Sequence, residues 1–473
     1  MSFTLGKAMN PPTVFLASRF ELRDRFDPEM VLFRRKTHSF KYPGSKLRSF
    51  YAEPPQYGAG ERGLERESDD QPRYIRITDI DEYGILTDGL GATAATVGQR
   101  YILGDGDLLL ARSGNTVGKS YLHKRAHAPA VCFFAGYLIR FRFRSTEILP
   151  EYAFAFTQLP YYKEWVRAVQ RAAGQPNINA REYSNLDIPA APISVQKKII
   201  TLLQDAYAAK RRRDDEARSL LFGIDGVLLA ELGISPKAEP PSTLKSRMFQ
   251  RDFSTVSGKR IDPASNWKHL SFDGGKFPLR RLRDVALINP ITRFPKSAPG
   301  TQVSFVPMDA VSDVFGEIAD IQTRPIEEAG SYTPFQNGDV IWAKITPCME
   351  NGKAAVADGL VEGVGYGSTE FHVFRRRSLE LCPYFLHHLL RLRTVREHAR
   401  RNFTGSSGHQ RVDEDFFYRM EIPFPPMKIQ ERIAAQTKAT IAQARKLFAD
   451  ADADLEKAKG DIEALILGKE ACV

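Results

Sequence analysis

Cysteine is scarce in this chain. Only Cys132, Cys348, Cys382 and Cys472 occur in 473 residues, scattered too widely for a disulfide framework or a zinc-ligand cluster. A small cystine-stapled secreted fold is therefore excluded, and the cytoplasm is the expected compartment. Long hydrophobic runs are absent too. No stretch of 18 apolar residues exists, so no transmembrane helix is expected. The apolar stretch from Val14 to Ala17 is too short for the core of a secretory leader. What is present is ordinary globular material, 42% hydrophobic and 26% charged, enough for more than one core. At roughly 100–200 residues per domain, the length suggests two to four domains. Lys and Arg number 67 against 57 Asp and Glu, a net charge of +10 with a pI near 9.3. That excess permits a polyanionic partner such as nucleic acid, or an anionic membrane surface.

Catalytic signatures are also missing. Gly114-Asn-Thr-Val-Gly118-Lys119-Ser120 follows a predicted strand and resembles a phosphate loop, but has three residues between its glycines where a Walker A loop needs four. Shortening the loop changes which backbone N–H groups can converge on phosphate. Asn10-Pro-Pro-Thr13 resembles the Asn-Pro-Pro-aromatic loop of amino-methyltransferases, with Thr13 where the stacking aromatic belongs. No Gly-rich loop for S-adenosylmethionine follows a strand in a doubly wound pattern. His387-His388 lies in an apolar helical pattern without ligands at metal spacing. No Gly-x-Ser-x-Gly nucleophile elbow is found.

The chain does repeat itself. Arg25-Phe-Asp-Pro28 recurs as Arg260-Ile-Asp-Pro263, and Leu47-Arg48 as Leu279-Arg280. Gly106-Asp-Leu-Leu-Leu-Ala-Arg112 recurs as Gly338-Asp-Val-Ile-Trp-Ala-Lys344. Ile188-Pro-Ala-Ala-Pro-Ile-Ser-Val-Gln-Lys-Lys-Ile199 recurs as Ile422-Pro-Phe-Pro-Pro-Met-Lys-Ile-Gln-Glu-Arg-Ile433. The four blocks keep one order at offsets of 232 to 235 positions, which marks a duplicated domain. Each copy opens β-rich. Tyr74 to Ile80 matches Phe305 to Val311, and Leu108–Ala111 and Val340–Ala343 read as buried strands after Gly-Asp. Gly136 to Arg144 matches Glu370 to Arg376. In the first of these, alternating Phe and Arg over 140–144 predict an edge strand with Phe inward and Arg outward.

Behind each proline cluster a long helix is expected, since proline is tolerated at a helix start. In the second, Ala434, Thr437, Ile441, Ala444, Phe448, Ala451, Leu455, Ala458, Ile462 and Leu465 recur three and four apart. In the first, Ile199, Leu203, Ala206, Lys210, Arg213, Ala217, Leu220 and Ile224 do so around a basic middle, Lys210 to Arg213. Sustained heptads predict that the helices cover each other as an antiparallel pair between two globular lobes. The alternative is two helices, each packed on its own domain. The expected architecture is α+β: two tandem mixed domains separated by two long helices forming an antiparallel coiled coil. The boundaries are a first domain at 1–190, a first long helix at 191–234, a linker at 235–259, a second domain at 260–425, and a second long helix with its tail at 426–473.

Two β-rich domains, each followed by Ile-Pro-x-x-Pro-x-x-x-Gln-x-x-Ile and a long helix, resemble the specificity subunit of type I restriction–modification enzymes. The resemblance runs from Arg25 to Gly468, and the basic, aromatic segment from Lys245 to Trp267 departs from the pattern. It implies a subunit without a catalytic centre or cofactor of its own. Each domain would read half of a split, asymmetric site in double-stranded DNA, and the helices would set the gap between half-sites. The helices would also dock two methyltransferase subunits carrying S-adenosylmethionine, and restriction subunits would bring translocase and nuclease activity with ATP and Mg.

A DNA reader needs phosphate contacts for affinity and base-edge contacts for sequence, supplied by basic, amide and hydroxyl groups on loops beside rigid strands. The candidates in the first copy are Arg112, Ser113, Asn115 and Lys119, then Gln175, Asn177 and Asn179. In the second they are Lys344, Thr346, Asn351 and Lys353, then Ser406, His409, Gln410 and Arg411. Two other readings remain open at this stage: a DNA-modifying enzyme with fused recognition domains, and a coiled-coil adaptor with no DNA role.

Overall fold

A computed structural model describes residues 16–18, 27–36, 40–87, 89–128, 130–170, 176–235, 272–294, 300–406 and 409–468, with isolated positions between 243 and 252. The Asn10-Pro-Pro-Thr13 segment, the block that begins at Arg260 and the first half of its partner, Arg25 and Phe26, lie outside the described residues. The chain divides into two units, 1–212 with 450–473, and 213–449.

In the first unit a four-stranded antiparallel sheet has the order Tyr51–Tyr57, Leu138–Phe143, Leu108–Ala111, Ser120–Leu122. A second sheet sets Arg73–Ile75 parallel to Cys132–Phe134. A short pair, Gly44–Lys46 with Asp187–Pro189, joins the front of the unit to the proline cluster. Helices Pro150–Thr157 and Pro160–Val169 start on proline, whose fixed φ suits a first turn where the missing N–H costs nothing. Tyr152, Phe156, Tyr162 and Trp165 from these helices fill one core with Phe141 and Ile188.

The second unit follows the same plan. Ala286–Ile288, Phe371–Arg376, Val340–Ala343 and Ala354–Val356 form the antiparallel sheet. Gln302–Val306 runs parallel to Val364–Gly367 in the other sheet, and Leu279–Arg281 pairs with Glu421–Pro423. Trp342, Phe374, Phe385 and Phe417 anchor its core. The mixed helix-and-sheet class and the duplication are thus as expected. One alignment shifts: Leu47 N donates to Leu186 O and Leu282 N to Met420 O, so the counterpart of Leu47 is Leu282, three positions beyond Leu279.

The repeated motifs have structural causes. Gly106 and Gly338 adopt φ of +85° and +84°, a left-handed conformation that glycine enters without steric cost. The aspartate that follows is buried and accepts a two-pronged pair from an arginine on the neighbouring strand. Arg142 donates to Asp107 at 2.6 and 2.9 Å, and Arg375 to Asp339 at 2.8 and 2.6 Å. This corrects the expected edge strand with outward arginines. Leu138–Phe143 is a central strand, Arg140 is buried on the Arg100 and Ile102 carbonyls, and Arg142 is spent on Asp107 and Glu53. The glutamine of the proline block is fully buried in both copies. Gln196 donates to the Ala191 and Glu147 carbonyls and accepts from Leu149 N; Gln430 does the same with Pro425, Glu380 and Cys382 N. It pins the first turn of each long helix to the loop before the preceding helix pair.

The long helices are Ile193–Leu232, 40 residues, and Met427–Leu467, 41 residues. Within the first unit they pair antiparallel: Ile199 and Leu203 share a core with Ile462 and Ile466, while Lys210 donates to Asp452 at 2.6 Å. Within the second unit Leu228, Leu229 and Leu232 share a core with Ile433 and Ala434, and Arg432 binds Glu231 at 2.6 Å. Most of the expected seam is buried or half-buried, and the small residues Ala217, Ala444 and Ala451 are at most 1% exposed. Leu465 is the exception. It is 38% exposed because Ile466 and Leu467 take the inward positions at the helix end.

Candidate nucleic-acid interface

In each unit two loops far apart in sequence meet at the end of the central sheet. The first leaves the Leu108–Ala111 strand and returns as Ser120–Leu122. The second precedes the short helix Ala180–Ser184. They are laced by Ile178 N to Arg112 O at 2.8 Å, Gly114 N to Pro176 O at 3.0 Å and a Ser113–Asn177 bridge. Val412 N to Lys344 O at 2.9 Å, Thr346 N to Gln410 O at 3.0 Å and an Ile345–Arg411 bridge repeat the arrangement in the second unit. A third segment closes on both: Arg112 N donates to Tyr137 O and Lys344 N to Glu370 O, each at 2.9 Å. Backbone bonds fix these loops, which leaves their side chains for other work.

The side chains divide sharply. Lys119 donates its ammonium to the Ile80 carbonyl at 2.7 Å, and Lys353 does likewise to Met308 at 2.9 Å. Burial pushes the Lys119 amine down, only partly offset by Asp81 and Glu82. Both lysines therefore hold their own loops. Gly118, beside Lys119, sits at φ +86° with Val166 where a Cβ would go, so the phosphate-loop lookalike is a packed turn. Asn179 caps its helix: it accepts from Glu182 N at 3.0 Å, while the Glu182 carboxylate accepts from Asn179 N. Ser113 is buried, Asn177 half-buried, and Asn115 exposed on the turn; Gln175 lies outside the described residues.

In the second unit Thr346 bonds Glu350, and Lys344 and Gln410 are half-buried. Asn351, Ser406 and His409 are exposed. Arg411 is held by Glu370 through two bonds at 2.8 and 2.7 Å. Those bonds push the Glu370 carboxyl below its ordinary range and the Arg411 guanidinium above its own.

Arg112 stands apart. Its guanidinium lies 4.9 Å above the Tyr57 ring, its Nε is buried, and it makes no side-chain hydrogen bond or ion pair among the described residues. Tyr57, 39% exposed, is itself anchored by accepting from Ala180 N at 3.1 Å. Tyr137, 65% exposed, projects from the turn that receives Arg112 N. Sequence reasoning missed Tyr57, Tyr137 and Glu370. A usable signal existed for the two tyrosines, since each adjoins a glycine (Gly58, Gly136) at a strand end, where an aromatic has no core to enter. The His387-His388 pair is no part of the interface. Both are buried in the second core, His387 donating to the Ala354 carbonyl, and burial lowers the His388 imidazole to about 3.

Comparison with known proteins bears on this geometry. Residues 276–445, which include both candidate loops of the second unit, match the family model of the type I restriction modification DNA specificity domain. The chain is 31% identical over 262 residues to the specificity subunit of the Escherichia coli type I restriction enzyme EcoAI, covering 51% of this chain and 44% of that protein. It is 34% identical over 238 residues to the EcoEI specificity subunit of Escherichia coli, covering 48% of this chain and 38% of that protein. The matches thus span less than half the length of these curated relatives. A solved structure described as the basis of complex assembly and conformational transition of the type I R-M system aligns over 91% of this chain and all of that one. Its TM-score is 0.52 at 14% identity, a likeness of fold.

Proposed function

We propose that this chain is the DNA-recognition subunit of a type I restriction–modification complex. The observation that carries the reading is the laced loop pair, built twice with matching bonds, whose second copy lies inside the segment that matches the DNA specificity domain. On this reading domains 1–190 and 260–425 each read one half of a bipartite, asymmetric site in double-stranded DNA. The helices at 191–234 and 426–473 dock two methyltransferase subunits, and restriction subunits join that assembly in the cytoplasm. Catalysis, with S-adenosylmethionine, ATP and Mg, resides in those partners. The chain contributes rigid loops for reading bases and a basic surface for phosphates.

The +10 net charge fits the phosphate part of that task. The test is filter binding of the full-length chain to random-sequence duplex DNA across a salt series. The logarithm of affinity falls linearly with the logarithm of salt, because each phosphate contact releases counterions. Binding that ignores salt, or methyl transfer by the purified chain alone, overturns the reading.

A further inference from the structure

We propose that Arg112, laid on Tyr57, reads a guanine in the half-site contacted by the first unit. This rests on the DNA-recognition reading above and assigns one base and one residue within it. Five arginines of this unit are spent on carboxylates. Arg140 and Arg142 bind Glu53 and Asp107, Arg144 binds Glu147, Arg76 binds Asp79, and Arg66 binds Asp69. Arg112 is held by an aromatic face and by its own backbone, which donates to Tyr137 and accepts from Ile178. Its hydrogen-bonding edge is left unmatched.

Stacking is the arrangement that readies a guanidinium for this task. A planar fork resting on a ring keeps its donors in one plane and loses little freedom when they are engaged. Guanine presents O6 and N7 as adjacent acceptors in the major groove, the pair that such a fork matches. A phosphate contact needs no ring-held plane, and lysine serves it as well. Tyr57 is a positioning residue, since its hydroxyl is fixed on Ala180 N and its ring lies under the Arg112 guanidinium.

The second unit supports the assignment by contrast. At the matching backbone position stands Lys344, the segment equivalent to Tyr137 brings Glu370, and that carboxylate clamps Arg411. The same scaffold thus carries a ring-held, unmatched guanidinium in one copy and a neutralised one in the other. The two halves of the site therefore differ in base content, and the guanine belongs to the first.

The experiment is selection from a duplex library of randomised sequence by the full-length chain, followed by sequencing, for the native protein and for Arg112→Lys, Arg112→Ala and Tyr57→Leu. Native selection yields two half-sites with a G·C pair in one of them. Arg112→Ala and Arg112→Lys lose preference at that pair by about 5- to 150-fold and leave the other half-site unchanged. Tyr57→Leu weakens the same pair to a smaller degree. An unaltered preference at every position in the Arg112 variants overturns the assignment. So does an even loss across all sequences with a salt slope lower by about one, which marks a phosphate contact. No selected sequence from the native chain overturns the underlying DNA-recognition reading instead. Arg112→Lys retains the charge and the aliphatic stem, so a folded variant is in hand if Arg112→Ala unfolds.

Discussion

Gln430 makes three bonds from a site with no solvent access: two donated, to Pro425 and Glu380, and one accepted from Cys382 N. Replacing it with leucine of similar bulk keeps the packing and strands two carbonyls and one N–H. Such losses exceed the value of the bonds themselves, because each buried group forfeits water without gaining a partner. Gln430→Leu therefore costs about 3 kcal/mol in urea unfolding, and Gln196→Leu a similar amount. A loss under about 0.5 kcal/mol for both would show that the glutamine does not pin the helix. The same logic explains which motifs were readable. The glutamine and the Gly-Asp pair stand out in the sequence because each copy needs one residue type at one buried place. The contact of Arg112 with Tyr57 does not, since a ring contact between residues so distant in the chain leaves no spacing to find.

At the scale of elements, periodicity was legible wherever one neighbour decides exposure. The seam of the second long helix was read from three- and four-residue spacing, and Ala434, Thr437, Ala444, Ala451, Leu455 and Ile462 are buried accordingly. Position within a sheet is decided by distant strands, so the Phe-Arg alternation of Leu138–Phe143 predicts an edge although the strand is central. Its Arg142 is matched by Asp107, more than thirty residues away in the chain. Small residues on the seam set how closely the helices approach. Ala444→Leu places extra methylenes where no space exists and costs about 1–3 kcal/mol, whereas Ala439→Leu on the exposed face of the same helix stays within about 0.5 kcal/mol. Paired thermal melts decide the matter, and equal effects from the two substitutions would mean that the seam is loosely packed.

At the scale of the whole molecule, the two units share a plan but differ in the histidines they bury: among the described residues His123 in the first, against His372, His387 and His388 in the second. The helix Pro383–Arg391 buries His387 and His388, and His372 is buried on the strand Phe371–Arg376; the helix's counterpart in the first unit, Pro150–Thr157, has no histidine. Burial holds all three imidazoles below their ordinary range, His387 well below it and His388 at about 3. The sign follows from proton binding. Between about pH 6.5 and 3 the unfolded chain takes up protons that the folded chain refuses, so stability that is complete above 6.5 is lost as pH falls through that window. For His388 alone the loss at pH 5 is about 2 kcal/mol. The Arg411–Glu370 pair does not reverse the trend: its carboxyl is held below the ordinary range by Arg411, so acid weakens it in the same direction. Hydrogen exchange read peptide by peptide at pH 7.5 and pH 5, corrected for intrinsic rates, should therefore show protection falling more in Pro383–Arg391 than in Pro150–Thr157. His388→Phe, which fills the same apolar site without a titrating group, should narrow that difference. Equal loss of protection in the two helices would mean that the buried histidines do not set the acid sensitivity of the second unit.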